Sequence, residues 1–493
     1  MGMLPKAYFR ADGNSKIGYG HVIRTLALAD MMREEFRCIF LIQEPNEWLL
    51  NEIREICVDF IELPVNEIFE KEAEFINSTI LNEGDFIIID GYHFTTSYQQ
   101  ILLGSNSKII CIDDLHNQHF LSDVVVNHAG GISELDYSTE AFTRLALGPE
   151  YAMLRRPFRQ SIANERFFSS IEAIFVCFGG ADDHHLAYKT VEMCLTIDKI
   201  KDIHVVSNDP MIDGIKQKPN RNLKNLFIHK NINADELVSV MERCQIGVCP
   251  ASNLAYEACA VGLGLITGIH ANNQISISRF LASADCALNM GDFRLVENST
   301  LRRSIAEFDS NTANQQVRKQ KMIVKDAYPS FSRIFEKLKK EYTIKIRRAT
   351  IKDLVTYYKW ALDPIVRQSS IVQDTFTMEN HTEWFNNKLS SESTILYVFE
   401  YRKTPFAQVR FELENNAYRI NFSIDGDYRG KGFGDVVLKM AIKELSKELM
   451  KKPFLTATVK MDNIASSRAF RNNSFILNSI EEIGGVSYEI YQK

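Results

Sequence analysis

Short apolar runs punctuate the first two thirds of the chain, each followed by a polar, turn-rich stretch: "CIFLI" at 38–42, "DFIIID" at 85–90 and "KIICID" at 108–113. Runs this short that are apolar throughout predict strands buried on both faces. Segments with apolar positions at helical spacing, such as 66–82, lie between them. The alternation predicts a parallel sheet with helices on both faces. It breaks at "RRPFRQSIANERFFSS", 155–170, which reads as a linker, and restarts with "EAIFVCFGGADDHHL" at 172–186. "DIHVVS", "QIGVC" and "GLGLIT" continue the second series, and a long helical stretch over 312–342 closes it. The pattern therefore predicts an α/β region of two Rossmann-like lobes, 1–160 and 161–342, with ligands at the carboxyl ends of the strands.

A different rhythm begins at "TIKIRRATIKDL", 343–354. Strand-like runs "STILYVFEYR", "PFAQVRFEL" and "AYRINFSID" follow one another through short turns, as in an antiparallel meander. The meander ends in "YRGKGFGDVVLKMAIKEL", a glycine-rich turn opening an amphipathic helix. An α+β domain is expected over 343–493.

Composition adds limits. A chain of 493 residues exceeds one ordinary core. A hydrophobic share of 45% and a charged share of 24% fit a globular protein, and a net charge of −6 offers no electrostatic case for nucleic acid. No apolar run has the length of a membrane span, and "MGMLPKAYFR" lacks the apolar core of a signal peptide. A cytoplasmic protein with neither nucleic-acid nor membrane partners is expected. The nine cysteines include no C-x-x-C pair, which argues against a disulfide framework and a zinc ribbon. All of them precede residue 290, a second sign of the boundary near 343. Nothing in the sequence speaks to oligomeric state.

The first candidate for chemistry is "ADGNSKIGYGHVIRTLALAD", 11–30: a strand end, a loop bearing Gly13, Gly18 and Gly20, then His21 and a helix. The amides of a helix start are unpaired and favour an anion. An imidazole at that point suits acid–base work near neutral pH. Gly179 and Gly180 repeat the theme, opening the next lobe's first helix with amides suited to a diphosphate. His184 and His185 are adjacent, so on a helix they point apart and read as solvated or capping residues rather than metal ligands.

Five stretches in order, "RADGNSKIGYGHVIRTLALA", "IIIDGYHF", "LALGPEYAMLRRPF", "FVCFGGADDHH" and "ASNLAYEACAVG", resemble the UDP-2,4-diacetamido-2,4,6-trideoxy-β-L-altropyranose hydrolase family of pseudaminic acid biosynthesis. The resemblance spans about 1–340 and implies a two-lobed GT-B type fold with His21 catalytic and no metal. Asp12, Gly18 and Gly20 carry over from the same loop as substrate-binding residues, and Tyr92 from the D-x-Y segment as a second catalytic residue. In the second lobe it implies substrate contacts from Ser252, Asn253, Asn272 and Gln274, with Glu257 accepting from the ribose hydroxyls; a surface glutamate is the bland alternative.

The carboxyl-terminal region resembles the Gcn5-related N-acetyltransferase family. Arg429, Gly432 and Gly434 form R-x-x-G-x-G, and Asn463 with Ser466 form the later N-x-x-S. The resemblance implies acetyl-CoA as cosubstrate, its pyrophosphate on the amides of Arg429, Gly430, Gly432, Phe433 and Gly434, and its pantetheine along the strand ending at Ile424. Phe470 stands where the family often has a tyrosine acid, and Ser474 replaces the glycine of a Gly-Phe pair. Tyr488, Tyr491 or solvent would then protonate the thiolate. His381 is open to two readings, a structural histidine or a substrate contact. Together the motifs imply one chain with two consecutive activities: N-acetylation of UDP-4-amino-4,6-dideoxy-N-acetyl-β-L-altrosamine, then hydrolysis of the diacetamido product to free sugar and UDP. A glycosyltransferase joined to an acetyltransferase for another amine, or a hydrolase with an inactive acetyl-CoA module, are the alternatives. The two regions are expected to fold independently.

Overall fold

The computed structural model describes residues 4–14, 18–66, 68–179, 182, 184–215, 224–370, 377–401 and 403–493. The chain forms two compact units: Met1–Ser138 with Leu145–Ser332, and Thr139–Arg144 with Arg333–Lys493.

Among its described residues the first unit holds two large sheets. One is built from β1 (Lys6–Ala11), β2 (Arg37–Ile42), β3 (Asp59–Glu62), β4 (Phe86–Asp90), β5 (Lys108–Ile112), β6 (Val124–Asn127) and β7 (Arg144–Leu147), with the helix α1 (Gly20–Met32) after β1. Its order is β3-β2-β1-β4-β5-β6-β7, parallel from β3 to β6. The second comprises β8 (Ala173–Val176), β9 (Asp202–Val206), β10 (Asn225–His229), β11 (Ile246–Pro250), β12 (Gly264–Ile269) and β13 (Leu288–Asp292), with α2 (Leu186–Cys194) and α3 (Asn253–Val261) among its crossovers. Its order, β10-β9-β8-β11-β12-β13, repeats the first, and every pair is parallel. The apolar runs become these strands because both faces are covered: every residue of Phe86–Asp90 and of Ile246–Pro250 is buried. In parallel sheets of this order the strand order reverses between the first and fourth strands, and the crevice outside their carboxyl ends is the place for a ligand. Those ends are β1 and β4 in the first sheet, and β8 and β11 in the second.

Three expectations change. The stretch 66–82 divides into a helix Phe69–Phe75 and a π-turn Ile76–Ile80. The expected linker contains a helix, Arg156–Ser161, and is bolted down: Arg159 reaches Asp30 at 2.5 Å and Arg166 the Cys244 carbonyl at 2.6 Å. The long helix expected over 312–342 is two, Ser310–Ile323 and α4 (Tyr328–Thr343), because Pro329 can only begin a helix.

The division between the units falls inside α4, whose residues from Arg333 onward pack with the second unit. That unit contains β14 (Ile344–Arg348), α5 (Met378–Ser390), β15 (Thr394–Tyr401), β16 (Thr404–Glu414), β17 (Ala417–Ile424), α6 (Phe433–Leu449), β18 (Leu455–Lys460), α7 (Ile464–Arg471), β19 (Ile476–Ile483) and β20 (Val486–Gln492). The meander from β14 to β17 is antiparallel, as expected. The sheet order is β14-β15-β16-β17-β18-β20-β19. Its one parallel contact, β17 with β18, pairs only Tyr418 with Leu455 and Arg419 with Thr456. Beyond Arg419 the ladder stops, which leaves the edge of β17 from Ile420 to Ile424 open toward β18. No helix among the described residues is long and apolar enough to cross a membrane.

Candidate active sites

In the first unit the glycine-rich loop runs from the end of β1 into α1. Ser15, Lys16 and Ile17 lie outside the described residues. Gly18 takes φ +80, the left-handed region that glycine enters freely, and its amide donates to the Asn14 carbonyl at 2.9 Å. A Cβ on Gly13 would stand 3.0 Å from Val22 Cγ2, so the loop lies close on the helix. Gly20 begins α1; among the described residues no side chain caps the helix, and its first turn holds no acid, so the leading amides stay available.

His21 follows, and its Nδ1 lies 2.7 Å from Oδ1 of Asp90, the last residue of β4. The two strand ends that flank the switch point thus meet in one pair. Arg24, one turn along α1, donates Nε and Nη2 to Asp90 at 2.6 Å each, and Thr25 donates its hydroxyl at 2.9 Å. Burial alone would raise the Asp90 pKa, but Arg24 and then His21 outweigh it and hold the carboxyl well below the ordinary range. Asp90 is then a permanent acceptor, which assigns the proton to His21 Nδ1 and leaves Nε2 as the basic nitrogen.

Asp114, just past β5, forms the other wall. Its Oδ2 accepts from Arg24 Nη1 at 2.9 Å, from the Tyr92 hydroxyl at 3.4 Å and from Asn273 Nδ2 at 3.4 Å. Among the described residues its buried Oδ1 has no hydrogen-bond partner. Both carboxylates line a cavity of about 50 Å³ together with His21, Arg24 and Tyr92, enough for a water but not for a sugar. Tyr92 stands edge-on to the His21 ring, centroids 4.8 Å apart. Partial desolvation, then Asp114, raises its pKa, so it is a phenol that donates rather than a base. His128 is fully buried nearby and pushed down to about 4, by burial first and Arg24 second, so it stays neutral.

Asp12 turns inward. Its oxygens accept from Arg10 at 2.5 and 2.6 Å and from the Gln43 amide at 2.9 Å, and Arg10 is completely buried against Glu72. The arrangement makes Asp12 the footing of the loop.

In the second sheet Gly179 takes φ +83 with open space at its Cβ position, while Gly180 lies outside the described residues. Gly179 does not open the helix. The first helix there is α2, starting at Leu186, and Asp182 holds its leading amides, accepting from Leu186 and Ala187 at 2.8 Å each. His185 sits just before it at φ +53 and pairs with Asp209 at 2.7 Å, while His184 is exposed. At the end of β11, the Ser252 hydroxyl accepts from the Leu254 amide at 3.3 Å and Asn253 donates to the Met153 carbonyl at 3.0 Å, seating the start of α3. Glu257 is 2% exposed, not a surface residue. Arg155 grips it through two bonds of 2.8 Å. Gln274 is buried and accepts from the His270 amide at 2.8 Å, whereas Asn272 is exposed. The neighbour, Asn273, is the residue that reaches Asp114. The sequence reading passed over Arg24, Asp114, Arg155 and Asn273, although Arg24 and Arg155 stood in quoted motifs, in "HVIRTL" and "LRRPF".

In the second unit, β17 ends at Ile424 and the chain turns through Arg429, Gly430 and Gly432 into α6. Gly430 and Gly432 take φ +72 and +74, and no side chain caps α6. A Cβ on Gly430 would meet nothing, and one on Gly434 would touch Ala469 at 3.6 Å and Ile424 at 3.8 Å. The loop is therefore a bare cradle of amides at the start of a 17-residue helix, a seat that fits a diphosphate. Arg429 is occupied by the Ile424 carbonyl at 2.9 Å and by Asp363 at 3.0 Å. Phe433 is buried. Asn463 caps α7, accepting from the Ser466 amide at 3.1 Å.

Phe470 is buried, stacked on Tyr491 at 5.9 Å. Tyr491 is fully buried; its hydroxyl donates to Glu489 at 2.8 Å and accepts from Arg471 at 2.8 Å, so its proton is committed and it does not suit a thiolate acid. Tyr488 is buried too. His381 sits inside α5 rather than at its start, 5% exposed among Tyr358, Trp384 and Phe385, where burial lowers its pKa. Ser474 takes φ +59, the conformation a glycine would adopt without strain.

Residues 343–476 match the acetyltransferase (GNAT) domain family, so the carboxyl-terminal region has such a domain. The amino-terminal part is 26% identical over 284 residues to a UDP-2,4-diacetamido-2,4,6-trideoxy-beta-L-altropyranose hydrolase of Campylobacter jejuni, covering 56% of this chain and 96% of that protein. An uncharacterized protein of Methanocaldococcus jannaschii, MJ1062, is 22% identical over 486 residues, covering 94% of this chain and 95% of its own. A ribosomal L7/L12 alpha-N-protein acetyltransferase solved in complex with coenzyme A is 17% identical, covering 31% of this chain and 93% of that one, with a TM-score of 0.28.

Proposed function

We propose that this protein catalyses two consecutive steps on one nucleotide sugar: acetyl-CoA-dependent N-acetylation of UDP-4-amino-4,6-dideoxy-N-acetyl-β-L-altrosamine, then hydrolysis of the UDP-2,4-diacetamido-2,4,6-trideoxy-β-L-altropyranose formed. The observation that carries the hydrolytic half is the His21–Asp90 pair beside a water-sized cavity at a sheet's switch point. Asp90 holds Nδ1–H, so His21 Nε2 takes a proton from water as the water oxygen bonds to the anomeric carbon. The bond from that carbon to the diphosphate oxygen breaks, and its electron pair leaves with UDP. The free Oδ1 of Asp114 is the acceptor that orients the water, and the Tyr92 hydroxyl, its proton directed to Asp114, accepts from the sugar side. The amide of Gly179 and the start of α3 at Ser252 and Asn253 hold the diphosphate in a GT-B type arrangement. Glu257 keeps a second lone pair on each oxygen beside Arg155 and accepts from the ribose hydroxyls.

Acetyl-CoA supplies the acetyl group. The chain seats its diphosphate on the amides from Gly430 to Gly434 and lays its pantetheine on the open edge of β17. The similarity to the Campylobacter hydrolase supports the sugar assignment, and the GNAT match supports the acetyl transfer.

Mass spectrometry of the products from the UDP-4-amino sugar with acetyl-CoA tests the pair of steps; UDP release that requires a sugar acceptor would instead identify a glycosyltransferase. His21→Asn is expected to slow UDP release by about 10²- to 10⁴-fold, the usual cost of one acid–base group, while acetyl transfer continues. Near-normal hydrolysis by that variant rejects the assignment.

A further inference from the structure

A diphosphate brings two negative charges to the Gly430–Gly434 cradle, and the arginine of its motif is spent. Arg429 is paired with Asp363 at 3.0 Å. Lys431 folds back over the Tyr428 ring to donate to the Asp427 carbonyl at 2.7 Å. Asp435, in the first turn of α6, sets a negative charge beside the amides. Amides and helix dipole alone would face that carboxylate.

The missing positive charge comes from α4. Lys337 lies 2.5 Å from Asp435 Oδ2, and Asn472 donates to the same oxygen at 2.9 Å, so the acid is paired and its charge offset. One turn further on, Lys340 donates to the Lys431 carbonyl at 3.1 Å and stands 5.8 Å from the Phe433 ring. Its Nζ would be 3.7 Å from a Cβ on Gly432, which places the ammonium on the rim of the cradle itself. Among the described residues no carboxylate pairs with Lys340. The next residue, Glu341, is buried against Lys439 of α6 at 3.1 Å, which fixes the register of the two helices.

We infer that Lys340 is a ligand for the pyrophosphate of acetyl-CoA, and that Lys337 is a positioning residue that removes the opposing charge of Asp435. The helix that carries both precedes the acetyltransferase sheet in sequence, outside the R-x-x-G-x-G loop. The inference rests on the acetyl-CoA reading of this site.

Titration calorimetry on the full-length chain separates the two. Failure of the wild-type protein to bind acetyl-CoA would defeat the cofactor reading itself. Given binding, Lys340→Ala is expected to weaken acetyl-CoA about 3- to 10-fold, the range for one partly exposed charge contact, and to weaken 3′-dephospho-acetyl-CoA equally. It should leave S-acetylpantetheine, which has no diphosphate, unchanged. Lys337→Ala is expected to weaken acetyl-CoA similarly, with affinity restored in Lys337→Ala/Asp435→Asn. Unchanged affinity in Lys340→Ala, or a loss confined to the ligand bearing the 3′-phosphate, overturns the assignment of Lys340. No rescue by Asp435→Asn overturns that of Lys337. Thermal melts of each variant matching wild type exclude misfolding as the cause of a loss.

Discussion

Single side chains in the first unit are held by partners far away in sequence, and this decides how they respond to substitution. Glu257 is the clearest case. Its oxygens are gripped by Arg155, whose guanidinium is itself largely enclosed. Glu257→Ala would strand that cation, and breaking a buried pair from one side costs about 3–5 kcal/mol. Alanine therefore measures folding as much as binding. Glu257→Gln keeps an oxygen toward Arg155 but halves the acceptors open to a ribose. It is expected to raise KM for the UDP-sugar with little change in kcat, while its melting temperature falls less than that of Glu257→Ala. An unchanged KM, or an unchanged UDP inhibition constant, would remove Glu257 from the substrate site. At this scale the sequence was partly legible. His21 announces itself by standing alone after three glycines, whereas Arg24 and Asp114 look like any helix arginine or loop acid until β4 and β5 bring them together.

Helix starts show the same contrast among elements. A strand followed by "GGADDHHL" reads as a glycine turn opening a helix, yet α2 begins only at Leu186 and its leading amides belong to Asp182. The carboxylate occupies the place that an anion would seek. Asp182→Ala should lower the stability of the protein by about 1 kcal/mol, the usual value of an N-cap, seen as a lower denaturant midpoint. With the amides released and a negative charge gone, UDP is expected to bind about two- to fivefold more tightly. Weaker UDP binding would place the diphosphate elsewhere. The parallel sheets and the meander were readable because burial on two faces, or on one, writes itself into the hydrophobic pattern. The helix inside 155–170 was not, since Arg155, Arg159 and Arg166 look like linker charges until their partners at Glu257, Asp30 and Cys244 are known. The break between Ser310–Ile323 and α4 was signalled by Pro329, which the overall helical spacing of the stretch masked.

At the scale of the whole molecule, the boundary read from composition near 343 and the packing differ in a way that can be measured. The second unit takes in Thr139–Arg144 and the chain from Arg333. Ala141 is 1% exposed within its core, and Lys443 lies 4.8 Å from the Phe142 ring. Glu341 and Lys439 are 1% and 2% exposed as side chains, a wholly buried pair. A fragment 343–493 retains Lys439 but loses Glu341, and breaking a buried pair from one side costs about 3–5 kcal/mol. Domain stabilities are about 5–15 kcal/mol, so that is a large fraction of the total. A fragment 327–493 keeps all of α4 and lacks Thr139–Arg144 equally, so comparing the two isolates the helix. The longer fragment is expected to be soluble and to melt about 6–20 °C above the shorter, using about 2–4 °C per kcal/mol for a domain of this size. Lys439→Met in the shorter fragment should recover much of the difference, because it removes the buried charge while keeping an apolar stem of similar length. Equal melting of the two fragments, or no recovery with methionine, would show that the acetyltransferase core is complete from residue 343 and that α4 is only a connection.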